Sequence, residues 1–292
     1  MIQITPAASI AVHGGAGGDL SDSDGCLHAA TVAQRELAQG SDALSAAVAA
    51  LVRMEDDGRF NAGRGAILGL DGHTIDMDAA VMDSLGRLGS VACIRRVKNP
   101  ILVARDVAAS PHRMLCGEGA THFARVGGHA DFYQPTDKAR QAHRAMLDCM
   151  ASDPGPIGML WNFERPPPSA RQYACDTVGA VVRSPGGQFA VAASTGGGAP
   201  SLQGRVGDTP LVGCGFYAGL HGAVTVTGTG EQIIPHLLAH TVYQWIAQGL
   251  ALEQALTRAL DLFDSTSALG IIAVTSTLTG SASHHDMPHV VL

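Results

Sequence analysis

Long apolar runs are missing from this sequence. The longest, Ala46–Val52, is far short of the roughly 20 residues a helix needs to cross a bilayer. Met1–Val12 carry no basic residue ahead of their short apolar stretch, so neither export nor a membrane anchor is expected. Positive charge is sparse: 19 Lys and Arg stand against 26 Asp and Glu, the net charge is -7, and the basic residues are scattered rather than grouped in stripes. That removes the electrostatic footprint of nucleic-acid binding and leaves small molecules or peptides as expected partners. No Cys-x-x-Cys pair occurs among Cys26, Cys93, Cys116, Cys149, Cys175 and Cys214, which excludes a zinc ribbon or redox dithiol and points to reduced thiols in a cytoplasmic protein. Gly-x-Ser-x-Gly is also absent, and the 13 histidines show no partner pattern, so no Ser-His-Asp order stands out. Gly213-Cys-Gly-Phe-Tyr-Ala-Gly219 has the wrong spacing for a dinucleotide loop, and no organic cofactor is implied. His284, His285, Asp286 and His289 read as a polar hairpin tip rather than a metal site.

What is present is glycine and short strand-like runs. The 36 glycines mostly punctuate runs rich in Val, Ile, Thr or Ala, as tight turns and close backbone approaches require. Strands are expected at Ile10–His13, His73–Met82, Gly89–Ile94, Thr177–Arg183, Gln188–Ser194, Ala223–Thr227 and Gly270–Thr275. Pro185-Gly186-Gly187 supplies a turn, so Thr177–Thr195 reads as a hairpin. Helices are expected at Ser41–Glu55, Asn99–Ser110, Glu231–Ala247 and Ala251–Phe263. Grouped strands between grouped helices indicate an α+β arrangement of stacked layers, with apolar material for one large or two ordinary domains. Residues 151–176 hold five of the 14 prolines, including Pro166-Pro167-Pro168, and read either as a linker or as a surface excursion.

The segment ends at Asp176-Thr177-Val178-Gly179, where a strand begins. A threonine hydroxyl is a poor nucleophile unless a base adjoins it or its own α-amino group is free. A free amine has a pKa of roughly 7.7–8.0, near the operating pH, so a threonine exposed by cleavage brings its own base. The residues alone leave Thr177 open between that role and an ordinary strand-former.

Four motifs in one order decide more: Asp176-Thr-Val-Gly-Ala-Val181, Ser194-Thr-Gly-Gly197, Gly204-Arg-Val-Gly-Asp-Thr-Pro-Leu-Val-Gly-Cys-Gly-Phe-Tyr-Ala218 and Thr227-Gly-Thr-Gly-Glu231. Upstream stand Ala11-Val-His-Gly-Gly-Ala-Gly17, Phe60-Asn-Ala-Gly-Arg-Gly65, Met77-Asp-Ala-Ala-Val-Met-Asp83, Asn99-Pro-Ile101, Ser110-Pro-His112 and Gly117-Glu-Gly-Ala120. Together they resemble the plant-type asparaginase and isoaspartyl peptidase family of N-terminal-nucleophile hydrolases. The resemblance implies an αββα sandwich in a single domain spanning 1–292, self-cleavage into chains 1–176 and 177–292, an (αβ)2 assembly, and hydrolysis of asparagine or β-aspartyl peptides. It implies Thr177 as nucleophile, Thr195 as its hydroxyl neighbour, and Thr227 with Gly228 as the oxyanion hole. It also implies Arg205 and Asp208 as the grip on the substrate's α-carboxylate and α-ammonium, with Gly230 and Asn61 beside them. Finally it implies a sodium site made of the main-chain carbonyls of Met54, Glu55, Asp57, Phe60, Ala62 and Arg64, hard oxygen donors that suit such a cation.

Two positions depart from the common pattern. Asp176 replaces the usual glycine and is similar to glycosylasparaginases and taspase proteases, and Ser201 stands where many members have lysine. Those relatives, and an uncleaved peptide-binding scaffold, remain the alternatives.

Overall fold

The computed structural model describes residues 8–152 and 177–292, with the backbone alone for 149–152. Cys175, Asp176 and the expected linker lie outside the described residues, except that 151 and 152 end a helix.

Strand β1 (Ser9–His13) leads into helices α1 (Ser23–Ala38) and α2 (Ala43–Asp57). α2 starts where it does because the Asp42 carboxylate accepts the Ser45 N–H at 2.8 Å, and it stops at Gly58, which takes the left-handed conformation. Then follow β2 (Met77–Asp83), β3 (Leu88–Ile94), α3 (Pro100–Ala108), β4 (Met114–Cys116), α4 (Gly117–Val126) and α5 (Asp137–Ser152). The second half holds β5 (Thr177–Arg183), β6 (Phe189–Thr195), β7 (Phe216–Gly219), β8 (Gly222–Gly228), α6 (Gly230–Ile233), α7 (Leu238–Ala247), α8 (Leu252–Leu260), β9 (Leu269–Thr275), β10 (Thr279–Ser283) and β11 (His289–Val291).

One sheet runs β11-β1-β5-β6-β2-β3-β4, antiparallel except for β3 with β4; the other is the antiparallel β10-β9-β8-β7. Three apolar layers hold the stack together. Ala29, Ala33, Ala47, Leu51 and Ile101 pack on one face of the larger sheet against Val178, Ala180 and Val182. Val181, Val191, Phe216 and Ile272 fill the space between the sheets. Leu238, Val242, Leu256 and Ala259 cover the outer face of the smaller sheet. The result is the αββα sandwich. Because β5, β6, β8 and β9 are covered on both faces, every residue in them is buried, which is why they read as continuous apolar runs rather than as alternating ones. Alternation still fixes direction: Thr177 and Gly179 share a face with Val181, and so look into the layer between the sheets.

The structure differs from the sequence reading in four places. The expected strand His73–Met82 begins only at Met77, because the Asp71 carboxylate accepts the His73 and Thr74 N–H groups and holds that stretch in a turn. The expected helix Glu231–Ala247 is broken at Leu237, which has φ 45°, just after Pro235, a residue with no N–H to continue the ladder. Helices α1, α4 and α5 were not expected, and neither were the short strands β4, β7, β10 and β11. The histidines near the C-terminus lie between β10 and β11 or within β11, and among the described residues no group of three or more His, Cys, Asp or Glu is placed to hold a metal. Among the described residues, no helix is long and apolar enough to cross a membrane.

Candidate active site

The strand ladder itself assembles the site. Thr177 opens β5 directly across from Thr195, the last residue of β6, and Thr195 in turn pairs with Asp78 of β2. Thr177, Thr195, Arg205, Asp208, Thr209 and Gly228 line one open cleft of about 240 Å³. Residues from four separate motifs therefore meet at a single point.

Thr177 is held at both its polar groups. Its main-chain N–H donates to Thr227 Oγ1 at 3.3 Å, and its own Oγ1 lies 3.3 Å from Thr209 Oγ1. Thr227 Oγ1 also accepts the Ala16 N–H at 3.3 Å, which is how the N-terminal glycine-rich loop enters the site. With two N–H donors aimed at that oxygen, the Thr227 hydroxyl keeps its own hydrogen to donate elsewhere. Gly228 follows directly and lines the cleft. The Thr195 hydroxyl accepts the Gly197 N–H at 3.1 Å.

Arg205 and Asp208 sit together because glycines leave room for them. A Cβ on Gly230 would fall 2.9 Å from Arg205 Nη2 and 3.0 Å from Asp208 Oδ1, and one on Gly207 would fall 2.7 Å from Arg205 Nη1. The Arg205 guanidinium meets the Glu231 carboxylate with two hydrogen bonds of 2.8 Å. Asp208 is 4% exposed, and its Oδ2 has no hydrogen-bond partner among the described residues. Burial pushes its carboxyl up to about 7, its own backbone N–H and the Arg205 charge pulling the other way. Asp78, whose carboxylate accepts the Cys93 N–H at 2.8 Å, is raised by burial to about 6.

Asn61 acts as a bracket between loops. Its Nδ2 donates to the Gly197 carbonyl at 2.7 Å, and its Oδ1 accepts the Ile67 N–H at 3.1 Å. Its own carbonyl takes the Gly196 N–H at 2.8 Å, so the loop after Thr195 is tied to the loop after α2. Glu55 makes a second tie from below: Oε1 accepts the Ser194 hydroxyl at 2.6 Å and the Ile101 N–H at 3.0 Å.

The main-chain carbonyls from Met54 to Arg64 are the oxygen donors the sequence reading names for sodium. The carbonyls of the last turn of α2, ending at Asp57, stand at the negative end of the helix dipole. Beyond them the main chain folds back tightly. A Cβ on Gly65 would lie 2.0 Å from the Phe60 carbonyl oxygen and 2.8 Å from that of Gly58, and one on Gly63 would lie 2.9 Å from that of Glu55. Two of the expected donors also accept main-chain hydrogen bonds, Phe60 from the Ala62 N–H at 2.8 Å and Ala62 from the Gly65 N–H at 3.0 Å, and main-chain oxygens with a lone pair to spare are suitable donors for sodium.

Thr209, Glu231, Asp78 and Glu55 had no side-chain role in the sequence reading. Three of them lie inside motifs quoted there. The available signal was the buried polar residue beside a named one, which sequence spacing alone does not separate from a structural residue.

The geometry agrees with what related proteins are. The family model described as Asparaginase matches residues 6–287. The chain is 36% identical to an isoaspartyl peptidase/L-asparaginase of Macaca fascicularis, over 91% of this chain and 86% of that one. It is 38% identical to the zebrafish (Danio rerio) protein of the same name, over 86% and 80%. It is 37% identical to a plant-type L-asparaginase of Pyrococcus furiosus, over 92% and 90%. A match over nearly the whole length means that this chain belongs to the asparaginase family.

Proposed function

We propose that this protein cuts itself between Asp176 and Thr177 and then hydrolyses the side-chain amide of L-asparagine, or the β-aspartyl bond of isoaspartyl dipeptides, to release L-aspartate. The observation that carries this reading is the meeting of Thr177, Arg205 and Asp208 in one cleft, with Asp208 Oδ2 buried and, among the described residues, unpartnered. A buried carboxylate oxygen of that kind is costly unless a cation completes it, and a substrate α-ammonium does so.

Cleavage turns the Thr177 amide into an amine. That amine takes the hydroxyl proton as Oγ1 attacks the substrate's side-chain carbonyl, and ammonia or the amino-acid leaving group departs with a proton. Thr227 donates its remaining hydrogen to the oxygen on which negative charge develops, and the Gly228 N–H is the second donor. Water then hydrolyses the ester and frees Thr177. Arg205 binds the α-carboxylate from an orientation set by Glu231, and Asn61 holds the Gly197 side of the cleft in place. Main-chain carbonyls of Met54, Glu55, Asp57, Phe60, Ala62 and Arg64 would hold sodium, whose part is to brace that loop. We assign the protein to the cytoplasm as an (αβ)2 dimer.

Mass spectrometry of the purified protein after incubation is expected to show the 30.0 kDa chain replaced by two, the second beginning at Thr177. Thr177→Ala should abolish both cleavage and aspartate release. L-asparagine and a β-aspartyl dipeptide should react, while their N-acetylated forms and α-linked peptides should not. A second chain beginning elsewhere overturns the nucleophile. Preference for a sugar-bearing asparagine, or for an internal Asp bond, would move the assignment to glycosylasparaginase-like or taspase-like hydrolysis.

A further inference from the structure

The Thr177 hydroxyl does two jobs under the reading above, and only one of them has a base at hand. In turnover the freed amine receives its proton. In self-cleavage the Thr177 nitrogen is still an amide, whose N–H points at Thr227 Oγ1, so it cannot orient the hydroxyl. The side chain the structure places at Thr177 Oγ1 is Thr209, 32 residues along the chain and 1% exposed.

Thr209 is fixed from both sides. The Asp208 carbonyl accepts the Leu211 N–H at 3.0 Å and the Gly215 N–H at 3.1 Å, which closes the turn that carries Thr209. Gly215 presses on the same turn so closely that a Cβ there would lie 2.6 Å from the Asp208 carbonyl oxygen and 2.8 Å from the Thr209 Cα. Thr177, for its part, is pinned by the β5–β6 ladder. Two rigid elements thus hold the two hydroxyls at hydrogen-bond distance, and neither can follow the other if the bond is lost.

We infer that Thr209 is a further catalytic residue, whose hydroxyl holds Thr177 Oγ1 in its attacking rotamer for self-cleavage and for turnover; the inference rests on Thr177 being the nucleophile. In self-cleavage the Thr177 oxygen bonds to the carbonyl carbon of residue 176 as the C–N bond breaks. The hydroxyl proton ends on the Thr177 nitrogen, and water then hydrolyses the ester. Thr209 gains and loses no proton overall. It holds the Thr177 oxygen in place while the Thr177 hydrogen passes to the nitrogen.

The test compares Thr209→Val, Thr209→Ala and Thr209→Ser with the wild type in the full-length protein, following loss of the 30.0 kDa chain and then kcat and KM of the matured enzyme. Valine keeps the shape and removes the hydroxyl. It should slow self-cleavage and lower kcat by about ten-fold each, the loss expected for one oriented hydrogen bond, with KM within about two-fold. Serine should restore both rates to within about two-fold. Alanine serves if valine prevents folding, and it should match the valine prediction. Wild-type rates in the valine or alanine variant overturn the inference, as does a serine variant no better than valine, which would assign Thr209 to packing. Cleavage surviving in Thr177→Ala would instead overturn the nucleophile reading on which this one rests.

Discussion

Arg205 and Glu231 meet fork to fork, Nε to Oε1 and Nη2 to Oε2, each at 2.8 Å. The Glu231 side chain is 53% exposed and that of Arg205 18%, so the pair adds little to stability, and its value is that it fixes the plane of the guanidinium. Removing the carboxylate frees that plane while leaving the positive charge. Glu231→Ala should therefore raise KM for L-asparagine by about five- to ten-fold and change kcat by less than about two-fold, with Glu231→Gln in between. Steady-state kinetics at constant ionic strength decides it. A fall in KM would mean that Glu231 competes with the substrate carboxylate rather than orienting its receptor.

Asp208 gives the reaction an acid limb. Burial raises its carboxyl to about 7, and Asp78 nearby, itself raised to about 6, adds to the effect. If Asp208 receives the substrate ammonium as proposed, the free enzyme must ionise it first, so kcat/KM should fall about ten-fold per pH unit below about 7. Bound substrate places a positive charge beside the carboxylate and lowers its pKa, so kcat at saturation should hold to lower pH. Asp208→Asn should lose the limb along with most of kcat/KM. The stability effect has the opposite sense. A carboxyl raised in the folded state contributes stability that is complete below its unfolded value and is lost as pH rises through the folded one. Asp208→Asn should accordingly have a higher Tm than wild type above pH about 7, with the difference vanishing toward pH about 4. A mutant profile that keeps the acid limb assigns it to another group.

The layered fold was legible because strands covered on both faces are strongly apolar, and the hairpin Thr177–Thr195 was legible from its Pro-Gly-Gly turn. Helix α1 was not, because its buried face is Cys26, Ala29, Ala30, Ala33 and Leu37, mostly small side chains with weak hydrophobic contrast. The candidate site was legible where a motif named the residue. It was not legible where tertiary contact chose the partner: nothing in the spacing of Thr177 and Thr209 shows that their hydroxyls meet. Nor does spacing show that Glu231, 26 residues beyond Arg205, occupies one edge of its guanidinium.

Thr227 holds the site's N–H donors and so can be tested apart from the nucleophile. Thr227→Val preserves volume, removes the hydrogen proposed to meet the developing oxyanion, and leaves the Ala16 and Thr177 N–H groups without their acceptor. Its kcat should fall by roughly 10²–10³-fold with KM nearly constant. Its stability should drop by about 1–3 kcal/mol from the two orphaned donors. Thr227→Ser should recover most of both. Urea denaturation separates the two effects. If stability drops while kcat stays, Thr227 is a bracket for the N-terminal loop and not part of the oxyanion site.

Gly179 lies two residues beyond the nucleophile and opposite His13, and it has no room to spare. A Cβ there would fall 2.2 Å from His13 Nε2 and 2.7 Å from Thr225 Cγ2. Neither ring nitrogen of His13 has a hydrogen-bond partner among the described residues. Burial, helped by the charge of His289, holds its pKa down to about 3, the Thr177 backbone pulling weakly the other way without reaching hydrogen-bond geometry. Gly179→Ala should therefore push β5 and its first residue out of register with the cleft, costing about 1–3 kcal/mol by overpacking and slowing self-cleavage. The strain should be mutual. In the double variant His13→Ala with Gly179→Ala, the space vacated by the ring accommodates the new methyl, so the two losses should add to less than their sum by about 1 kcal/mol or more. The wild type should also lose stability as pH falls from about 6.5 toward 3, because the unfolded chain protonates His13 and the folded one resists, and His13→Ala should flatten that slope. Strict additivity in urea midpoints would place the clash elsewhere, with Thr225 the next neighbour to test.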